Sequence, residues 1–172
     1  WLGQAIGYRF PVNQQAMALN AFHKALECYG VLNINPEKRE LYKKVVQTSI
    51  NGMEETLVPK TVTVNGETKN CYLWYYHMDM GKSKVEDFDH SSYTMLEYYK
   101  AYESDLFERV TIDKMHTFIN SVKYIMWDEA TRTVSDHVDG SETNVADRKK
   151  STYPGWIQML SLIHISEPTR PE

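Results

Sequence analysis

No apolar run in this 172-residue chain approaches the ~20 residues needed to cross a bilayer as a helix, so nothing in it reads as a membrane span. Clustered basic residues are also missing: Lys and Arg total 19 against 23 Asp and Glu, and the only basic run is the short "RKK" at Arg148–Lys150. Phosphate backbones are bound by basic stripes, so a nucleic-acid partner is not expected. Cysteine is scarce, with Cys28 and Cys71 far apart and no CxxC spacing. The two are either buried thiols or one disulfide, and they do not fix the compartment. No repeat of fixed period runs along the chain, which argues against a solenoid. What is present in quantity is apolar and aromatic: 42% hydrophobic and 12% aromatic residues can build a packed core of about one domain.

The two ends read differently from the middle. The chain opens on Trp1 with "WLGQAIGYRF", already apolar and aromatic, and is expected to begin inside a larger protein. A signal peptide would lie upstream of that point. At the other end "LSLIHISEPTR", Leu160 to Arg170, resembles an in-frame translation of the transposase-end adapter used in sequencing libraries. The reading is therefore a domain over 1–159 and a foreign tail over 160–172. Without that tail, which carries one Arg and two Glu, the formal charge moves from -4 to -3 and stays mildly acidic.

Between the ends, apolar periodicity predicts five helices. The first runs from Asn13 to Tyr29 on Ala16, Met17, Leu19, Phe22, Ala25 and Leu26, with Gly30 as its stop. The second follows Asn35-Pro36, read as an N-cap and a proline at the first helical position, and continues through Leu57 until Pro59. "KTVTVNGETKNCYLWYY" then alternates about Asn65-Gly66, a strong hairpin signal. The third helix is expected from Asp89 to Glu103, and the fourth from a Thr111 N-cap to near Asp128. A short strand, "TRTVSDHV", and a loop, "DGSETNVADRKKS", lead to a fifth helix opened by Pro154.

The connections alternate short and long. Antiparallel helical hairpins with tight loops at one end and elaborated loops at the other give a mainly α fold, an incomplete α/α toroid with a β-hairpin insertion. In that arrangement the N-termini of helices one, three and five face the elaborated end. "VNQQ", "EDFDH" and "DHVDG" then meet on one face, where functional loops concentrate.

His90 at a helix N-terminus keeps a neutral imidazole available as a base, and Glu86 is the carboxylate expected to orient its ring. Tyr93 lies one turn on, on the same helical face, and could supply the acid. Asp87 and Asp89 are equally explained as first-turn caps. Asn13, Gln14 and Gln15 are amides suited to a carboxylate or to sugar hydroxyls, or form a polar first turn. Trp74, Tyr75 and Tyr76 could stack on sugar rings, although alternate rings must face the core. Asp136, His137 and Asp139 could join Glu86 and His90 around a metal, but their spacing matches no familiar ligand set, and neither metal nor cofactor is expected. His23 and His116 lie on or near apolar stripes and read as structural.

"PVNQQAMALNAFHKA", the block "YLWYY…VEDFDHSSYTMLEYYKAY", "HTFINSVKYIMWD" and "HVDGS" together resemble α/α-toroid carbohydrate-active proteins, both polysaccharide lyases acting on uronic-acid polymers and six-hairpin glycosidase relatives. The resemblance spans most of Pro11 to Trp156. It implies a polysaccharide or oligosaccharide substrate, a periplasmic or secreted protein, and β-elimination. Asn13 and Gln14 would bind the uronate carboxylate, and His90 and Tyr93 would handle protons; beside them, the residues themselves suggest Trp74, Tyr75, Tyr76, Asp136 and His137 as substrate-lining positions. Two alternatives remain open: a glycoside hydrolase using two of Glu86, Asp87 and Asp136, and a noncatalytic glycan-binding toroid.

Overall fold

A computed structural model of the chain describes residues 11–77, 85–141 and 154–162. The order is α1 (Val12–Leu32), α2 (Pro36–Glu54), β1 (Val58–Val64), β2 (Glu67–Leu73), α3 (Phe88–Glu103), α4 (Ile112–Ser121), a π-helical turn (Val122–Met126), β3 (Trp127–Asp128), β4 (Thr133–Val134) and α5 (Pro154–Ser161). The described part is thus mainly helical, with two small two-stranded sheets, β1–β2 and β3–β4.

Each helix forms where the sequence supplies a stripe to bury. In α1 the buried positions Val12, Ala16, Leu19, His23 and Leu26 are separated by alternating steps of four and three, which keeps them on one face. The helix outruns Gly30 by two residues and closes on Asn33, left-handed at φ 50, whose N–H returns to the carbonyl of Tyr29. Asn35 also takes the left-handed region, at φ 49, and its side chain makes no cap hydrogen bond; the start of α2 is set by Pro36 instead. Helix α2 ends at Glu54, and Thr56 and Leu57 turn back onto Met53 and Glu54. Pro59 lies inside β1 opposite Tyr72, in a two-stranded sheet where β1 has a free edge to accommodate it. Asn65 and Gly66 both have positive φ, 53 and 83, as a type I′ turn requires.

Helix α3 is central because it buries two faces. Glu97 and Lys100 reach α1 through His23 and Asn20, while Ser91 and Ser92 meet α5. The small Ser92 and the bare Cα of Gly155 let α3 and α5 touch backbone to backbone: a Cβ on Gly155 would collide with the Ser92 carbonyl. Helix α4 begins on the Thr111 cap, whose hydroxyl accepts from Lys114 N–H. Its α-helical part stops at Ser121, short of the expected Asp128, and a π turn carries the chain on to the buried Met126. Strand β2 lies along α4, where Tyr72 N–H donates to Ser121 Oγ at 2.8 Å. Of "TRTVSDHV", only Thr133 and Val134 form a strand, paired with Trp127 and Asp128. Most of the loop "DGSETNVADRKKS" lies outside the described residues.

The core is aromatic at its centre. Phe118 meets Tyr98 at 4.8 Å and Trp74 at 5.5 Å, and Trp156 stacks on Phe88 at 5.4 Å. Burying each such side chain contributes about 1.5–3 kcal/mol. Leu160 and Leu162, at the start of the tail, continue α5 and pack on this core; residues 163–172 lie outside the described part. Cys28 is exposed and Cys71 buried, both as free thiols. No helix among the described residues is long and apolar enough to cross a membrane.

Candidate functional site

Helices α1, α3 and α5 run parallel, and their N-terminal ends are laced together by backbone. Val12 N–H donates to the Tyr76 carbonyl at 3.0 Å, and Pro11 and His77 form an isolated bridge. Tyr75 bridges Val85, and Glu86 N–H donates to the Trp74 carbonyl. From the other side Phe88 N–H donates to the Asp136 carbonyl at 2.8 Å, Val138 N–H donates to the Glu86 carbonyl at 3.0 Å, and Asp87 bridges His137. The Trp156 indole of α5 donates to Ser91 Oγ at 2.9 Å. These contacts bring "VNQQ", the return strand 74–77, "EDFDH" and "DHVDG" to one end of the helices.

At that end α3 begins one residue earlier than expected, with Asp87 as its N-cap and Asp89 as the acid of its first turn. Asp87 does two things at once. Its Oδ1 accepts the backbone N–H of His90 at 3.0 Å, a standard N-cap bond. Its Oδ2 lies 2.6 Å from His90 Nδ1. With Nδ1–H donating to that carboxylate, Nε2 is the bare, basic nitrogen. The His90 side chain is 51% exposed.

Glu86 is therefore not the residue that orients His90. Its carboxyl group is fully buried, at 0% exposure, and accepts from the Trp74 indole and from the Thr94 hydroxyl. Burial pushes its pKa up to about 8 against the opposing hydrogen bonds of Trp74 and Thr94, which keeps Glu86 predominantly neutral below that pH. Trp74 is likewise fully buried, in the aromatic core, and cannot stack on a sugar.

Tyr76 is the aromatic that reaches the site. Its ring packs edge-on to His90 at 5.9 Å and to His77 at 4.6 Å, and the Asn13 side chain lies near its hydroxyl. Burial, with the negative charge of Asp87 and that of Glu86 once it ionises, raises the Tyr76 pKa above its ordinary value, so the phenol holds its proton. Asn13 is 2% exposed and faces inward, leaving Gln14 as the exposed amide of the first turn of α1. Tyr93 is 38% exposed one turn beyond His90. Tyr75, Asp136 and His137 are half-buried, and the backbones of all three join the lacing. His23 is buried and bonded to Glu97 at 2.8 Å, as a structural histidine is. Among the described residues no group of three His, Cys, Asp or Glu is placed to hold a metal ion.

Two features of this site escaped the sequence reading. Asp87 as the partner of His90 was available from the D-x-x-H spacing, since an N-cap side chain lies over the residue three further on. Tyr76 beside His90 had no local signal, because a pairing between a strand end and a helix start depends on the fold. Compared with protein-family models, with characterised proteins and with solved structures, the chain matches none.

Proposed function

We propose that the described helices form part of an α/α toroid and that the end carrying Asp87 and His90 degrades a uronic-acid-containing polysaccharide by β-elimination. The observation that carries this reading is the chain of contacts Asp87–His90–Tyr76–Asn13 on an accessible helix end. Elimination needs a base for the proton beside the carboxylate and an acid for the departing glycosidic oxygen. His90 Nε2 takes the proton, and Asp87 stabilises the imidazolium that forms. Tyr76, protonated at neutral pH, gives its proton to the leaving oxygen as the carbon–oxygen bond breaks and the ring double bond forms.

Asn13 lies near the Tyr76 hydroxyl, Gln14 offers its amide to the uronate carboxylate, and exposed Tyr93 stands at the rim as a sugar contact. Such a protein would act where it meets polysaccharide, in the periplasm or outside the cell. A hydrolase reading loses Glu86, whose carboxyl group is sealed in the core. The test is incubation of the purified protein with uronate polymers and, separately, with neutral glycans. The expected product is an unsaturated, ultraviolet-absorbing end from the uronate polymers only. New reducing ends without absorbance would point to hydrolysis, and binding without cleavage to a noncatalytic toroid.

A further inference from the structure

Two titratable side chains that the proposed elimination does not use meet inside the α1–α3 interface. His23 on α1 is 7% exposed, and Glu97 on α3 is 0% exposed. His23 Nε2 lies 2.8 Å from Glu97 Oε1, and the other carboxylate oxygen, Oε2, is buried with no hydrogen-bond partner. The Phe107 ring packs edge-on to the imidazole at 6.1 Å. His23 also borders a cleft of about 550 Å³ between the last turns of α1 and α3 and the start of α2, so the pair meets solvent through the imidazole. The surrounding charges come from three helices. On α1, Lys24 and Glu27 pair with each other at 2.7 Å; on α3, Lys100 donates to Asn20 and Glu103 accepts the Tyr99 hydroxyl; on α2, Arg39 lines the same cleft. Lys100 favours the charged form of Glu97, while the buried Tyr98 phenol, next in the chain, holds its proton.

The net charge of the pair depends on how many titratable protons it holds. With one, on the imidazole or on the carboxyl group, the pair is neutral. With none, a buried carboxylate faces a neutral imidazole; with two, a buried imidazolium faces a neutral acid. Either departure leaves a net charge in the interior, which is unfavourable unless further partners satisfy it. The bare Oε2 shows that Glu97 lacks such a partner. Groups this close titrate as a unit. Burial raises the Glu97 pKa above its usual 4.5, against the hydrogen bond and charge of His23. Folded Glu97 therefore keeps a proton at pH values where the unfolded chain has released it. The stability this gives is present below 4.5 and is lost as pH rises through the raised value.

We propose that His23 and Glu97 form a proton-dependent latch between α1 and α3, which holds the two helices together with one shared titratable proton and slackens when that proton leaves or a second one binds. The full chain is followed by nuclear magnetic resonance from acid to mildly alkaline pH. The His23 ring and the Glu97 carboxyl carbon should shift together through the same two steps. Amide exchange in α1 around His23, corrected for its intrinsic pH dependence, should be slowest between those steps and several-fold faster on either side. Glu97→Gln keeps an oxygen for the His23 N–H but cannot titrate. It should lose the alkaline rise in exchange and begin its acid rise at higher pH, because an imidazolium then has no carboxylate to neutralise it. Glu86 titrates in both proteins, so the difference between the two profiles belongs to the pair. The proposal is overturned if the two resonances titrate independently, if α1 exchange is unchanged across the steps, or if Glu97→Gln keeps the parent's alkaline rise. Should Glu97→Gln fail to fold, the first two readouts on the parent decide.

Discussion

At the scale of single residues, Asp87 caps α3 and also holds the His90 ring, and the proposed elimination draws on the second contact. The roles separate by substitution. Asn caps a helix about as well as Asp, so Asp87→Asn should melt within a few tenths of a kcal/mol of the parent, whereas Asp87→Ala should lose ~1 kcal/mol. Both should lower turnover, because both remove the charge that supports the His90 imidazolium. Thermal melts alongside initial rates would check this, and full activity in Asp87→Asn would remove the dyad from the mechanism. Glu86 makes a second prediction. Its pKa is raised from 4.5 to about 8 in the fold, so between those values the folded state holds a proton that the unfolded chain has released. Stability should therefore fall as pH rises through that window, by as much as ~4 kcal/mol from this one group. Glu86→Gln should flatten the dependence, matching the parent near pH 4 and exceeding it near pH 8 in denaturant titrations. An unchanged slope would show that Glu86 ionises freely. His90 was legible in the sequence from its place at a helix start. The burial of Glu86, next to it in the chain, was not, because a carboxyl group in the core is settled by what covers it, here Trp74 and Thr94.

At the scale of elements, local signals located the helices and the hairpin, while tertiary contacts set where they stop. Asn65-Gly66 formed the expected turn because both residues tolerate positive φ. Gly30 did not end α1, since nothing there required a left-handed residue until Asn33. The π turn after Ser121 had no signature in "HTFINSVKYIMWD", whose apolar spacing reads as continuous helix; Met126, at its end, is buried and its carbonyl accepts from Ser135 N–H. The α3–α5 contact gives the sharpest element-level prediction. Gly155→Ala places a methyl group against the Ser92 carbonyl and 2.6 Å from the Leu96 nitrogen, both backbone atoms that cannot rotate away. The expected loss is about 1–3 kcal/mol, as for overpacked cores, with Trp156 fluorescence shifting as its stacking on Phe88 loosens. A variant as stable as the parent, with unchanged emission, would contradict the close approach.

At the scale of the whole molecule, the parallel course of α1, α3 and α5 gives the two ends different characters. One end gathers three helix starts, a return strand and a loop around His90; the other is a cleft between the last turns of α1 and α3 and the start of α2. The first end was legible before any coordinates, because alternating loop lengths fix helix direction and therefore which loops meet. The second was not, since Gly30 and Arg39 belong to different helices and neither carries a motif. The central claim is that His90, held by Asp87, moves the proton in an elimination. The most direct measurement is the rate at which a uronate polymer acquires ultraviolet-absorbing unsaturated ends, compared between the parent protein and His90→Ala at matched folded concentration. The account predicts absorbance from the parent and a loss of roughly a hundred- to ten-thousand-fold in the variant, with the melting temperature nearly unchanged. Near-parental turnover by a folded His90→Ala would contradict it, and Asp87 would then be a helix cap and nothing more.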